Sequence, residues 1–187
     1  MELPTTVQGP AVGTLELGQR APDFTDLLGV DGRRLSLSSF DHKPFLVLIF
    51  SCNGCPTVKA SEDRMIAIQA AYGARGVQLL AINSNNSYLS PADTYPEMVK
   101  RAAEKGFNFP YVKDDDGTVG RQFGAISTPH VFVLDPERRV RYKGRIDDSR
   151  DPSQVTVRDL NNALDDLLAG RPVRVPETRP FGCAVVR

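Results

Sequence analysis

Six consecutive apolar residues, Phe45-Leu46-Val47-Leu48-Ile49-Phe50, lead directly into Ser51-Cys52-Asn53-Gly54-Cys55-Pro56, and a helical pattern follows over Pro56–Tyr72. An apolar run of this length without alternation fits a strand buried on both faces. Such a strand needs neighbours on both edges and layers above and below it. Within Pro56–Tyr72, Val58, Glu62, Met65, Ile66 and Gln69 mark an amphipathic period, and Gly73 and Gly76 end it. Val77–Asn83 then reads as a second buried strand. Strand, helix and strand in that order require a crossover and a parallel pair. The chain is therefore expected to be an α/β protein.

The flanking segments complete that layout. Asp31-Gly32 between short alternating stretches predicts a β-hairpin over residues 24–37, ahead of the main sheet. Ser90-Pro91-Ala92-Asp93 has the form of a helix start, with proline at the first helical position, and predicts a helix to about Lys105. Residues 109–112 read as a short strand, Thr118–Phe123 as a short helix, and residues 131–134 as a third clear strand. The turn at Asp135-Pro136-Glu137-Arg138 pairs that strand with residues 140–146 as a hairpin, which makes the sheet mixed. The last helix is expected over 156–169, with Leu160, Leu164, Leu167 and Leu168 on one face, Thr156 and Asp159 at its start and Gly170-Arg171-Pro172 at its end.

A chain of 187 residues, 41% hydrophobic, suffices for one domain with a sizeable core. Its expected span is 17–170, with a loose leader over 1–16 and an extended, aperiodic tail over 171–187. Basic and acidic residues balance at 23 each, so nothing favours a nucleic acid or a membrane surface as partner. Residues 1–18 lack a basic start followed by an apolar run, which does not read as a signal peptide, and six apolar residues cannot span a bilayer. The expected location is the cytoplasm. Three cysteines are an odd number and too few for a disulfide scaffold. In a reducing compartment a close pair points to catalysis or metal binding rather than to structure.

The placement of Cys52 and Cys55 favours catalysis. A helix N-terminus presents unpartnered N–H groups and the positive end of the helix dipole, which stabilise a thiolate. At i, i+3 on a regular helix the two Cβ atoms would be roughly 5–6 Å apart, whereas a disulfide needs about 3.5–4.5 Å. Setting Cys52 just outside the helix closes that gap. The predicted cycle has Cys52 attack a partner disulfide and Cys55 resolve the mixed disulfide. Asn53 and Gly54, small and uncharged, are expected to leave Cys52 approachable. Zinc needs four ligands; only Cys183, His42 and His130 remain beyond carboxylates and there is no second C-x-x-C, so neither metal nor cofactor is expected.

Thr128-Pro129 precedes a strand, where proline suits a strand start or a cis turn. His130, next to it, has two readings: a proton acceptor near the cysteines or a packed strand-start histidine. Cys183 in the tail is a free surface thiol on the plain reading and a third redox thiol reaching Cys52 on the other. Arg145 likewise has two readings: positive charge near the site or, by default, a surface ion pair. Asp114-Asp115-Asp116-Gly117 reads as a solvated turn, since a calcium loop beginning at Asp114 needs glutamate where Ala125 stands.

The strand–C-x-x-C-P–helix unit, taken with Thr128-Pro129, resembles the thioredoxin superfamily. That resemblance implies a thioredoxin-like fold, a mixed central β-sheet flanked by helices with an N-terminal β-hairpin extension. It also implies a cis Thr128–Pro129 bond packed beside the cysteines, with Thr128, Pro129, Asn53 and Gly54 meeting the substrate. Gly18-Gln19-Arg20-Ala21-Pro22-Asp23-Phe24 and Asp31-Gly32-Arg33-Arg34-Leu35-Ser36-Leu37 look like the opening of redoxins of the alkyl hydroperoxide reductase/thiol-specific antioxidant type. Ala81-Ile82-Asn83-Ser84-Asn85, Gly144-Arg145-Ile146-Asp147-Asp148 and Gly182-Cys183 are similar to a peroxiredoxin-like subgroup that keeps a thioredoxin-style cysteine pair.

Two departures bear on activity. Peroxiredoxins carry P-x-x-x-T-x-x-C; with Cys55 on that cysteine, Cys52 falls on the threonine and Leu48 on the proline. Thioredoxins proper bury an acid in the strand before the motif, and residues 45–50 contain none. The resemblance thus implies a thiol–disulfide oxidoreductase exchanging with a protein or small-molecule disulfide or thiol, with a thioredoxin-reductase-type reductant as one electron source. A thiol-dependent peroxidase and a non-catalytic redoxin binding module are the alternatives.

Overall fold

The computed structural model describes residues 13–187. In chain order its elements are β1 (Leu27–Gly29), β2 (Arg34–Leu35), β3 (Phe45–Ser51), α1 (Pro56–Tyr72), β4 (Val77–Asn83), α2 (Tyr95–Lys105) and β5 (Tyr111–Lys113). There follow α3 (Thr118–Phe123), β6 (Ser127–Thr128), β7 (His130–Leu134), β8 (Val140–Gly144), α4 (Asp159–Leu168) and β9 (Cys183–Ala184). Seven strands form one sheet in the order β2-β1-β5-β4-β3-β7-β8, while β6 and β9 make a separate two-stranded ribbon. β3 pairs in parallel with β4 and antiparallel with β7, so the strand that delivers the cysteines lies inside the sheet. This is the mixed, thioredoxin-like α/β architecture expected, with β1 and β2 as its N-terminal hairpin.

The pleat divides the apolar run between two cores. Val47 and Ile49 join Leu79, Ala81, Val131 and Val133 on one face, covered by α1 through Met65 and Ile68, α2 through Met98 and α4 through Leu160 and Leu164. Leu46, Leu48 and Phe50 join Leu80, Ile82, Phe132 and Leu134 on the other, covered by the hairpin, Phe40 and α3. Three aromatic rings, Phe50, Phe123 and Phe132, meet at centroid distances of 5.4–5.8 Å in the second core. The continuous hydrophobicity of β3 follows from this two-sided burial. On α1, Glu62 faces inward too, and Arg101 of α2 donates from Nε to it at 3.0 Å.

Several expected boundaries move, each for a physical reason. The helix expected from Ser90 breaks into a 3-10 turn at Pro91–Asp93 and then α2. Pro96 has no N–H to return to Ala92, whose carbonyl accepts the Asn53 side chain instead, at 2.8 Å. α4 begins at Asp159 rather than 156, because the Thr156 amide donates to the Asp148 carboxylate and holds Thr156 in the preceding loop. The expected solvated turn at 114–117 is anchored: Asp114 is buried and accepts from Ser84 Oγ and the Val119 and Gly120 amides, fixing the start of α3. The leader expected over 1–16 lies, except for its last four residues, outside the described residues. Of those four, Leu15 is docked rather than loose, its amide donating to the Phe123 carbonyl at 3.0 Å.

The tail is aperiodic in sequence but not loose. It leaves α4, runs beside β8 with Glu177 bridging Lys143, and returns as β9 to pair antiparallel with β6. No helix among the described residues is long and apolar enough to cross a membrane.

Candidate functional site: the dithiol at the end of the central strand

Cys52 follows β3 directly, and Cys55 is the N-cap of α1 in an extended conformation (φ −72°, ψ 123°), with Pro56 at the first helical position. Proline is suited to that position, where its missing N–H breaks no helical bond. The two cysteines form a small cluster with Val58. Both are buried, at 4% and 3% exposure. This corrects the expectation that Asn53 and Gly54 leave Cys52 approachable.

Asn53 is turned inward and fully engaged. Its amide donates to Asp93 Oδ1 at 2.7 Å, its Nδ2 to the Ala92 carbonyl, and its Oδ1 accepts from the Tyr111 hydroxyl at 2.9 Å. Of the two residues between the cysteines only Gly54 is exposed. The Thr128–Pro129 bond is cis, and Thr128 touches both sulfurs. Its hydroxyl lies 3.3 Å from Cys52 Sγ, and its carbonyl accepts from Cys55 Sγ at 3.3 Å.

The two thiols behave as one titrating pair, because the thiol that keeps its proton donates to the other as thiolate. With the charge on Cys55, the Cys52 S–H is the largest influence and holds it down to about 4; Cys52 is pushed up by that same bond and by burial. The groups fixed around the pair are divided: the Val58 amide and Cys183 favour a thiolate on Cys55 and Asp93 disfavours one on Cys52, while Thr128 acts the other way. A carbonyl at 3.3 Å from Cys55 accepts an S–H and repels a thiolate, whereas the Thr128 hydroxyl can donate to a thiolate on Cys52. With the charge on Cys55, one proton leaves the pair more readily than it leaves an isolated cysteine.

Beneath the motif lies a buried polar network that sequence reasoning missed. Asp93, 1% exposed, accepts from the Asn53 amide, from Asn83 and Asn85 Nδ2 at 3.0 Å each, and from Ser90 Oγ at 2.6 Å. Burial alone would push its carboxyl up, but these donors outweigh it and hold the group below the ordinary carboxylate value. Lys113 Nζ donates to the Asn85 and Asp93 carbonyls at 2.6 and 2.9 Å, and burial lowers its pKa. Among the described residues Arg64 Nε is the one buried side-chain polar atom without a partner, so this network is fully satisfied. A buried acid thus lies beneath the motif, in the 3-10 turn before α2 rather than in residues 45–50. Its sequence signal was the polar run Asn83-Ser84-Asn85 closing an otherwise apolar strand.

Neither His130 nor Arg145 is hydrogen-bonded to a motif sulfur. His130 shares the sheet face of Phe132, stacks on that ring at 4.6 Å, and accepts the Ile126 amide on Nδ1 at 3.3 Å. Burial first, and Lys143 second, lower its pKa to about 4. Arg145 donates from Nε to Asp159 Oδ2 at 2.7 Å, the ion pair expected.

The shift of His130 makes a prediction about acid stability. An unfolded histidine protonates near pH 6.5, while the folded one stays neutral down to about 4. The stability involved is fully present above the unfolded pKa and is lost as pH falls toward the folded one, by up to about 3 kcal/mol. His130→Asn keeps an acceptor for Ile126 and does not titrate. Urea unfolding of the variant should therefore lose less stability between pH 7 and pH 4.5 than the parent does; equal losses would rule the imidazole out as the titrating group.

Known proteins are similar to this chain in sequence and fold. The chain is similar to a hypothetical protein from Sinorhizobium meliloti 1021, at 33% identity over 92% of this chain and 95% of that one, with a TM-score of 0.86. It is similar to an uncharacterized conserved protein from Geobacillus kaustophilus at 34% identity over 93% of each chain, with a TM-score of 0.88. The thiol-disulfide oxidoreductase ResA of Bacillus thuringiensis subsp. konkukian (strain 97-27) is 26% identical over 128 residues, 67% of this chain and 68% of that protein. The model of the Redoxin family matches residues 16–164, a span that contains the whole seven-stranded sheet and both motif cysteines. The chain belongs to the Redoxin family.

Proposed function

We propose that this redoxin is a thiol–disulfide oxidoreductase of the peroxiredoxin-like subgroup, with Cys52 as nucleophile and Cys55 as resolving thiol. The observation that carries the reading is the contact of Thr128 with both sulfurs, hydroxyl toward Cys52 and carbonyl toward Cys55. The Cys52 thiolate attacks one sulfur of a partner disulfide, and the partner's other sulfur leaves as a thiolate. Cys55 gives its proton to that thiolate and attacks Cys52, releasing the partner's first sulfur. Two electrons pass to the partner, and a Cys52–Cys55 disulfide remains.

Disulfide exchange is favoured over peroxide reduction by what stands in place of the peroxidatic companions: Leu48 is wholly buried within β3, and Cys52 occupies the threonine position. The partner is a protein or small-molecule disulfide, with a dithiol reductant to close the cycle. A location in the reducing cytoplasm, proposed with this function, would suit a dithiol held ready to donate.

Titration in glutathione buffers of stepped potential, followed by acid quenching, alkylation and peptide mapping, tests the reading. Cys52 and Cys55 are expected to lose alkylation together in one two-electron transition. Failure of this pair to form a disulfide at any potential would overturn it.

A further inference from the structure

The tail beyond the family match ends on the site. β9 lies antiparallel to β6 with Cys183 directly opposite Thr128, the residue that touches both motif sulfurs. The placement is held on both sides of the cysteine. The Asn86 amide donates to the Val186 carbonyl and the Val186 amide to Asn85 Oδ1, both at 2.9 Å, and Arg187 Nη2 donates to the Ala125 carbonyl at 2.6 Å. Just before it, Gly182 has φ +145°, and a Cβ there would fall 2.0 Å from the Thr128 carbonyl oxygen. Only glycine brings the strand this close.

Exposure completes the geometry. Cys52 and Cys55 are buried, whereas Cys183 is exposed. The Cys183 side chain lies near that of Cys55, which pushes the Cys183 thiol up to about 11 and is in turn helped down by it. Of the three thiols, Cys183 is the one presented to solvent.

We propose that Cys183 is a third redox thiol, exchanging with the motif disulfide through Cys55 and carrying reducing equivalents between the buried pair and an external dithiol. The proposal rests on the function argued above. When Cys52–Cys55 is oxidised, the Cys183 thiolate attacks Cys55 Sγ; the Cys55–Cys183 bond forms and Cys52 leaves as a thiolate. No electrons leave the chain in that step. A dithiol reductant then attacks exposed Cys183, displacing Cys55 as a thiolate. The reductant's second thiol attacks the mixed disulfide and releases Cys183. The reductant becomes a disulfide, and three thiols are restored in the chain. The partner first seen by the enzyme on the reducing side is on this account any dithiol able to reach β9, not one able to enter the Cys52 site.

The test uses the full chain and its variants in glutathione buffers, with disulfides located by peptide mapping. Cys52→Ser is expected to form an intramolecular Cys55–Cys183 disulfide. Only glutathione adducts at the two thiols would overturn the proposal. Cys183→Ser is expected still to form Cys52–Cys55; if it does and no Cys183 bridge appears in Cys52→Ser, the proposal fails while the oxidoreductase reading stands. If Cys183→Ser forms no Cys52–Cys55 disulfide, that underlying reading fails with it. Reduction of the oxidised chain by dithiothreitol, followed by quenched alkylation, should slow by at least about tenfold in Cys183→Ser, since access governs exchange rates. Gly182→Ala, which keeps the thiol but displaces its strand, should slow it similarly. Unchanged rates in both variants would overturn the relay.

Discussion

Cys52→Ser is expected to reduce disulfide exchange with a protein or small-molecule disulfide by on the order of a thousandfold or more, because a serine hydroxyl is not ionised where a helix-start thiol is. The loss should not depend on partner size, since it removes the attacking atom rather than a contact. Cys55→Ser, made in a Cys183→Ser background, should fail differently. The first attack survives, resolution does not, and a mixed disulfide between Cys52 and the partner accumulates as a stable adduct visible by intact mass. The asymmetry follows from Thr128, whose carbonyl accepts the Cys55 S–H while its hydroxyl faces Cys52. An adduct that accumulates on Cys55 in the Cys52→Ser protein, with exchange still fast, would reverse the two roles. The rate should also rise with pH as the pair sheds its first proton and level off above it, a profile that Cys52→Ser lacks.

What was legible in the sequence follows the range over which the physics acts. β3 and β4 declare themselves because two-sided burial leaves no room for polar residues, and α1 because Pro56 opens it and Gly73 and Gly76 close it. The cysteine pair is legible for the same reason, since strand, motif and helix start are contiguous. β9 is not: two residues without apolar period pair with a strand 55 positions away, and nothing local marks them. Asn53 misled in a similar way. As a small polar residue between cysteines it reads as surface, yet Tyr111, 58 positions on, and Asp93, 40 positions on, draw it inward. Asp93 itself reads as part of a helix start, which the four donors around its carboxylate pre-empt.

That carboxylate is where the second large effect is expected. Asp93→Ala removes the shared acceptor of the Asn53 amide, Asn83, Asn85 and Ser90, and withdraws the charge that offsets the burial of Lys113. A buried donor left without a partner costs about 1–3 kcal/mol, and several in one network do not add, so a loss of about 3–5 kcal/mol in chemical denaturation is the expected range. Asp93→Asn keeps the shape and one acceptor oxygen and should cost less, about 1–2 kcal/mol. The carboxyl is held below its ordinary value in the folded chain, so its contribution is fully present above the unfolded pKa and is lost as pH falls through the folded one. Asp93→Asn should accordingly flatten the acid limb of the stability profile below about pH 4. The same variant distinguishes scaffold from site: the Asn53 amide lies between the two cysteines, so weakening its anchor should shift the Cys52–Cys55 reduction potential as well as the unfolding midpoint. A midpoint that moves while the potential does not would mean that Asp93 supports the fold alone, and that the geometry of the motif is set by β3, α1 and Thr128.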